Sequence, residues 1–251
     1  MQQSINSKWN RSESESLNRQ RLLELFKNNP IPDEEILMNL SLFIKRKDLS
    51  EILFLNELYK KIVGVHGVIM EFGVRWGKNL AQLNALKGIY EPYNHNRKLI
   101  GFDTFSGFPS VDAKDGKSAI VKTGAWNVTH EYAKYLEEVL NCHAAENPIS
   151  HIKSYKLCKG HAVDELDAYL QEHPETIIAF AYFDFDIYEP TKECLKRVMP
   201  LMPKGSIIGF DELNCYDYPG ETVAFDEIAG LSKYRIERTN FSPTKSFIVL
   251  E

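Results

Sequence analysis

From residue 67 onward, short apolar runs rich in β-branched and aromatic residues alternate with stretches of helical period. The runs are Gly67–Phe72, Lys98–Phe102, Ser154–Cys158, Ile177–Phe183, Ser206–Phe210, Tyr234–Thr239 and Ser246–Leu250. Between them the spacing of apolar residues predicts helices at Asn79–Lys87, Glu131–Asn141, Ala162–Glu172, Thr191–Met199 and Thr222–Ala229. Near-continuous apolar strands are the mark of a sheet covered on both faces, and strand–helix alternation marks parallel pairing. The pattern therefore predicts an α/β fold, mostly parallel, with helices on both faces. The last two runs are joined by a short loop with Pro243 and no helix, which predicts an antiparallel hairpin at one edge. No internal repeat is visible.

Upstream the pattern is helical throughout. Leu22, Leu23 and Phe26 share a face, as do Leu37, Leu40 and Phe43, and Ile52, Leu55, Leu58 and Ile62. Asp48 or Ser50 is the expected cap of the third helix. This divides the chain into an N-terminal helical layer, 1–63, serving as lid or oligomerisation arm, and an α/β domain, 64–251. The polar, Ser-rich stretch 1–18 is expected to be a mobile tip.

At 251 residues the chain can bury roughly 70–75% of the surface its unfolded form exposes, so it needs no disulfide staples. Its four cysteines are scattered without a CxxC pair, which predicts reduced thiols and a cytoplasmic protein. The net charge of −5 and the lack of a Lys/Arg stripe argue against nucleic acid as a partner. The polar start Met1–Ser7 has no signal-like apolar region, and no run approaches the ~18 apolar residues that span a bilayer, so no membrane role is expected. A small-molecule or sugar substrate fits the balance better.

In sheets of this kind ligands sit beyond the carboxyl ends of the strands. After the first run comes Glu71-Phe72-Gly73-Val74-Arg75-Trp76-Gly77-Lys78-Asn79. Gly73 lets backbone approach a ligand closely, and Gly77 eases the turn into a helix whose free N–H groups favour a carboxylate. Glu71 can accept from an ammonium. An acid beside a helix N-terminus suits a ligand with an amino-acid end, such as S-adenosylmethionine, although a glycine turn before a helix is also common for packing alone. After the second run, Asp103-Thr104-Phe105-Ser106-Gly107 offers a carboxylate for both hydroxyls of a ribose, or merely a turn former. Asp103 lies 30 residues beyond Gly73, too far for the dinucleotide pattern, whose acid follows after about 20. The cofactor set read here is Glu71, Gly73, Arg75, Gly77, Asn79, Asp103, Thr104 and Ser106, with Gly160 and His161 after the third run as neighbours of an adenine.

The fourth run leads into Asp184-Phe185-Asp186 and the fifth into Asp211-Glu212. On adjacent parallel strands Asp184, Asp211 and Glu212 would repel one another unless a hard divalent cation such as Mg²⁺ joined them; taken singly, each is a helix cap or turn acid. A coordinated sugar hydroxyl would be a better nucleophile toward a sulfonium methyl. Asp184 and Asp186 are the candidate catalytic residues, Asp186 taking the proton or holding a neighbouring hydroxyl. His161 is the alternative proton acceptor. The long connection 104–150 holds Trp126, Tyr132, Tyr135 and His143, whose rings can stack on a sugar or fill a surface helix.

These residues together resemble the macrocin O-methyltransferase family of sugar methyltransferases in antibiotic biosynthesis, most closely its enediyne-type branch. The resemblance spans about residues 64–230. It rests on Glu71-Phe72-Gly73-Val74-Arg75 with Gly77, Gly101 to Pro109, Asp184-x-Asp186-x-Tyr188-Glu189-Pro190-Thr191, Gly205-Ser206-Ile207, Asp211-Glu212 and Pro219-Gly220. It implies the class I, Rossmann-like methyltransferase fold, S-adenosylmethionine, bound Mg²⁺ at Asp184, Asp211 and Glu212, and methylation of a deoxysugar hydroxyl. Many members carry Asp-Asp where this chain has Asp211-Glu212, so ligation falls more firmly on Asp211. Two rival functions share these residues: a glycosyltransferase using Asp184-Phe185-Asp186 as a DxD site, and a non-catalytic binding protein on the same fold. The apolar N-terminal helices predict a homo-oligomer.

Overall fold

In the computed structural model, which describes residues 12–251, six strands form one sheet in the order β3-β2-β1-β4-β5-β6. They are β1 (Val68–Phe72), β2 (Leu99–Asp103), β3 (Tyr155–Lys159), β4 (Ile178–Phe183), β5 (Ile207–Phe210) and β6 (Ser246–Val249). The first five run parallel and β6 runs antiparallel to β5. The helices are α1 (Glu13–Lys27), α2 (Asp33–Ile36), α3 (Arg46–Ile62), α4 (Lys78–Tyr90), α5 (Tyr132–Ala145), α6 (Ala162–Glu172), α7 (Tyr188–Val198) and α8 (Gly220–Ile228). Strand order reverses between β1 and β4, so the crevice beyond their carboxyl ends is where a ligand fits.

The chain clusters into two compact units divided between Glu51 and Ile52. In the first, α1 begins earlier than the sequence pattern implies. Ser12 and Glu15 form a capping box, Glu15 N–H donating to Ser12 Oγ (3.2 Å) and Ser12 N–H to Glu15 Oε2 (3.0 Å). Two otherwise orphaned donors are thereby satisfied, which is why Glu13–Asn18 is helical rather than part of a polar tip. Residues 1–11, including Met1–Ser7, lie outside the described residues. Asp48 and Ser50 do not cap α3. It starts at Arg46, Asp48 sits in its first turn, and Ser50 Oγ donates back to the Lys47 carbonyl (2.7 Å).

In the second unit, successive strand residues alternate between two cores, as the period of 2 requires. Met70, Phe72, Ile100, Phe102, Ala181, Phe183, Ile208 and Phe210 face α6, α7 and α8. Ile69, Leu99, Phe180, Tyr182 and Ile207 face α4, α5 and the part of α3 beyond Glu51. That part buries Phe54, Leu55, Leu58, Tyr59 and Ile62, each at 2% exposure or less. At about 1.5–3 kcal/mol per large apolar side chain, this stripe alone is worth several kcal/mol. The stretch Tyr234–Thr239 is not a strand. It makes one isolated antiparallel bridge, Glu237 with Phe247. Arg235 is 86% exposed and pairs with Glu237, so charge blunts this edge instead of extending the ladder.

No helix among the described residues is long and apolar enough to cross a membrane. The four thiols are free, and burial pushes those of Cys158 and Cys215 up to about 11.

Candidate active site

The backbone hydrogen bonds of the sheet continue one residue past β1, β4 and β5. Gly73 N–H donates to Phe102 O, Asp184 N–H to Phe72 O and Asp211 N–H to Phe183 O, at 2.8–3.0 Å. This brings Gly73, Asp184 and Asp211 level at the carboxyl edge. Gly73 stands at φ +98°, and a Cβ there would lie 2.1 Å from the Asp184 carbonyl oxygen. Only glycine fits. Gly77, at φ +76°, begins α4 without a side-chain cap, and a Cβ would strike Leu136 of α5 at 2.3 Å. The first N–H groups of α4 therefore face the crevice without a capping side chain.

Glu71, the fourth residue of β1, is wholly buried. Neither carboxylate oxygen completes a hydrogen bond, with the Asn79 side chain of α4 giving its charge only partial support. Burial, reinforced by the charge of Asp184, pushes its carboxyl well above the ordinary range. An orphaned buried acid at an uncapped helix start fits a ligand that presents an ammonium and a carboxylate together.

Asp103 ends β2. Its Oδ2 accepts from Arg75 N–H (2.7 Å) and its Oδ1 from Phe105 N–H (2.6 Å). Each oxygen keeps a lone pair for a further donor. Burial raises its pKa despite these bonds. Thr104 Oγ1 is committed to the turn, donating to Gly107 O (2.8 Å) and accepting from Ser106 N–H, while Ser106 itself is exposed. Gly160 N–H reaches Asp103 O (3.0 Å). A Cβ on Gly160 would meet Glu165 at 2.6 Å. His161 opens α6, with its ring near Asp164 (3.6 Å) and Glu189 (3.9 Å).

Beyond β4 and β5 the carboxylates crowd. Burial, then the charge of Asp211, pushes Asp184 up to about 8. Burial and the charges of Asp184, Glu212 and Glu221 push Asp186 well above its usual range. Glu221, in the first turn of α8 and fully buried, is raised by burial and by Asp211. Its Oε2 accepts from Glu212 N–H (3.1 Å), and its Oε1 has no partner. Asp211 moves the other way. Burial acts to raise it, but the Lys245 ammonium and the Tyr182 hydroxyl, both on Oδ1, outweigh that and hold it below its usual value.

The donor chemistry suits Mg²⁺, but the arrangement does not. Among the described residues no three His, Cys, Asp or Glu side chains are gathered as a metal ion requires. The expected set of Asp184, Asp211 and Glu212 is therefore near-neighbouring but not assembled, because Lys245 already neutralises Asp211.

Lys245, Tyr218 and Glu221 were not read from the sequence. Lys245 had no signal in the sequence pattern: it is the β5–β6 register, with Phe210 opposite Ser246, that sets Asp211 and Lys245 as the next pair. Among the aromatic residues singled out in 104–150, Trp126 stacks on the Arg75 guanidinium, which lies 4.4 Å from its ring centre. Tyr132 packs edge-on against Trp76, Tyr135 is 59% exposed, and His143 is exposed on α5. Gly220 leaves room for Asp115, whose Oδ1 accepts from Tyr188 N–H (2.5 Å) and so caps α7.

No family model matches the chain, and no curated protein does. Solved structures do. The crystal structure of CalS11, calicheamicin methyltransferase, is 39% identical, covers 99% of this chain and 97% of its own, and superposes with a TM-score of 0.94. The apo structure of CalS11, a TDP-rhamnose 3'-O-methyltransferase of calicheamicin biosynthesis, is 37% identical over 98% and 99%, with a TM-score of 0.85. The O-methyltransferase NovP, at 15% identity and a TM-score of 0.59, shares the fold. With the class I sheet, the orphaned Glu71 and near-full-length identity above one third, the chain belongs to the macrocin O-methyltransferase family of S-adenosylmethionine-dependent sugar O-methyltransferases.

Proposed function

We propose that this protein transfers a methyl group from S-adenosylmethionine to a hydroxyl of a nucleotide-linked or natural-product sugar. The observation that carries the reading is Glu71: a buried, unpartnered acid beside the uncapped start of α4, one strand from Asp103 and one from the Asp184–Asp186 turn. Membership of the family and the printed activity of CalS11 support the sugar.

The methyl donor supplies an electrophilic carbon on a sulfonium. In this reading Glu71 takes its ammonium, the first N–H groups of α4 its carboxylate, and Asp103 its ribose hydroxyls. Gly73 keeps the backbone out of the space between. The acceptor hydroxyl lies over the Asp184–Asp186 turn and attacks the methyl carbon in line, the C–S electron pair leaving with sulfur. Asp186, whose burial among other carboxylates raises its pKa and so the basicity of its ionised form, takes the hydroxyl proton. Holding the two reactants in line is the larger contribution, since effective molarities reach about 10⁵ M or more for well-oriented pairs.

Magnesium assistance is a separable part of the proposal. When bound, such an ion would lower the hydroxyl's pKa. Asp184, Asp211 and Glu212 would have to gather and Lys245 to release Asp211, so no step is derived through it. Of the expected segment 1–63, residues 52–62 pack in the sheet's core, and residues 1–51 are proposed as an oligomerisation arm of a cytoplasmic homo-oligomer. Leu17, Leu23, Leu37, Met38 and Leu42 are 52–82% exposed, more apolar surface than a lone chain usually leaves open.

Incubation with S-adenosylmethionine and TDP-rhamnose tests the reading. The expected product is a singly methylated TDP-sugar with one equivalent of S-adenosylhomocysteine. Release of TDP without methylation would favour glycosyl transfer and overturn it.

A further inference from the structure

We infer that Tyr218 and Trp126 form a hydroxyl-reading pair that fixes a second sugar hydroxyl of the acceptor, next to the one methylated. The inference rests on the methyltransferase reading above and deepens it by naming what the acceptor must carry.

Tyr218 is 1% exposed, and its hydroxyl has no hydrogen-bond partner. Trp126 Nε1–H is likewise buried and unpartnered. The indole N–H faces the phenol oxygen without completing a bond to it. Buried polar groups are nearly always satisfied, so two orphans side by side at the crevice imply a missing partner. Asp186 is close enough for its charge to act on the phenol.

The backbone around the pair is also strained. Arg75 (φ 47°), Trp126 (φ 62°) and Asp186 (φ 63°) are non-glycine residues in the left-handed region, each on a different loop. Such strain collects where a binding geometry is held in advance. Arg75 stacks on Trp126 and so links the loop after β1 to this pair.

The donor inventory then selects the ligand. Trp126 only donates, and Tyr218 either donates or accepts. A neutral hydroxyl can accept from the indole and donate to the phenol oxygen, satisfying both. An ammonium would find the indole donor and no use for it. The occupant that fits is a sugar hydroxyl vicinal to the reacting one, its ring against the indole.

The test is calorimetric titration of the full-length protein, saturated with S-adenosylhomocysteine, with TDP-rhamnose and its 2-deoxy and 4-deoxy analogues. Y218F is expected to bind S-adenosylhomocysteine within about twofold of wild type and to bind TDP-rhamnose roughly 10-fold more weakly, the size of one lost hydrogen bond. For the analogue lacking the hydroxyl that is read, wild type and Y218F should be equal. The melting temperature of free Y218F should hold or rise, where a purely structural hydroxyl would make it fall. W126F provides the second variant and should weaken TDP-rhamnose in the same sense. Equal TDP-rhamnose affinity in wild type and Y218F overturns the pair alone. A wild type that binds S-adenosylhomocysteine but not TDP-rhamnose overturns the sugar class, and the pair with it.

Discussion

Two buried polar clusters sit at opposite ends of the same sheet, and they are built on opposite principles. At the amino ends of β1 and β2, Arg97 is 1% exposed and fully engaged. It donates to Glu91 Oε2 (2.8 Å) and to the carbonyls of Gly67 (2.5 Å), Ile62 (2.9 Å) and Val65 (2.8 Å). Glu91 also accepts from Tyr59 (2.8 Å) and Asn94 (2.8 Å). At the carboxyl ends, Glu71, Glu221, Tyr218 and Trp126 hold buried atoms with no partner, and like charges face one another. A satisfied network rigidifies its surroundings. An unsatisfied one persists only where something else completes it, so the first cluster reads as structure and the second as function.

The comparison breaks most visibly at Arg97. Arg97→Ala leaves Glu91 buried and uncompensated, and should cost about 3–5 kcal/mol in urea unfolding. Loss below about 1 kcal/mol would mean the clamp is not structural. At the other end the sign should reverse. Glu71→Gln is expected to weaken S-adenosylhomocysteine by roughly 10–100-fold, the scale of one charge-assisted bond, with stability held or improved. A large drop in melting temperature instead would make Glu71 a structural acid.

The pH dependence sharpens the contrast. Asp184 titrates near 8 in the folded chain, and Asp186, Glu71 and Glu221 lie well above their ordinary values. The native state therefore binds more protons than the unfolded state from about pH 4 upward. Stability of the ligand-free protein should fall as pH rises through that window toward 8, as followed by chemical denaturation. Asp184→Asn removes the cost of holding this carboxyl protonated in the folded chain and should raise the melting temperature at pH 7.5 by about 2–4 °C, roughly 1 kcal/mol for a chain of this size. If Mg²⁺ binds at this cluster, it should raise wild type more than Asp184→Asn.

Much of this was legible in the sequence because buried parallel strands are continuous apolar runs and the chemistry follows each run directly. Glu71, Asp103, Asp184 and Asp211 all stand at strand ends. What escaped obeyed longer-range rules. Helix α7 starts at Tyr188, ahead of Pro190, because a proline is tolerated in a first turn where its missing N–H has no helical partner. Helix α4 runs on through Gly88 to Tyr90, since that glycine is a packing contact with Asn147 rather than a stop. Tyr218 and Glu221 follow β5 through its connection and the start of α8, where no apolar run marks them in the sequence. Lys245 required the β5–β6 register, which apolar patterning alone does not supply.

The most direct test of the central claim is calorimetric titration of wild type and Glu71→Gln with S-adenosylhomocysteine. One-to-one binding by wild type, weakened at least 10-fold in a Glu71→Gln protein that remains fully folded, is the result expected. A folded wild type that gives no binding heat at several temperatures, or a Glu71→Gln protein that binds as tightly as wild type, would contradict the account.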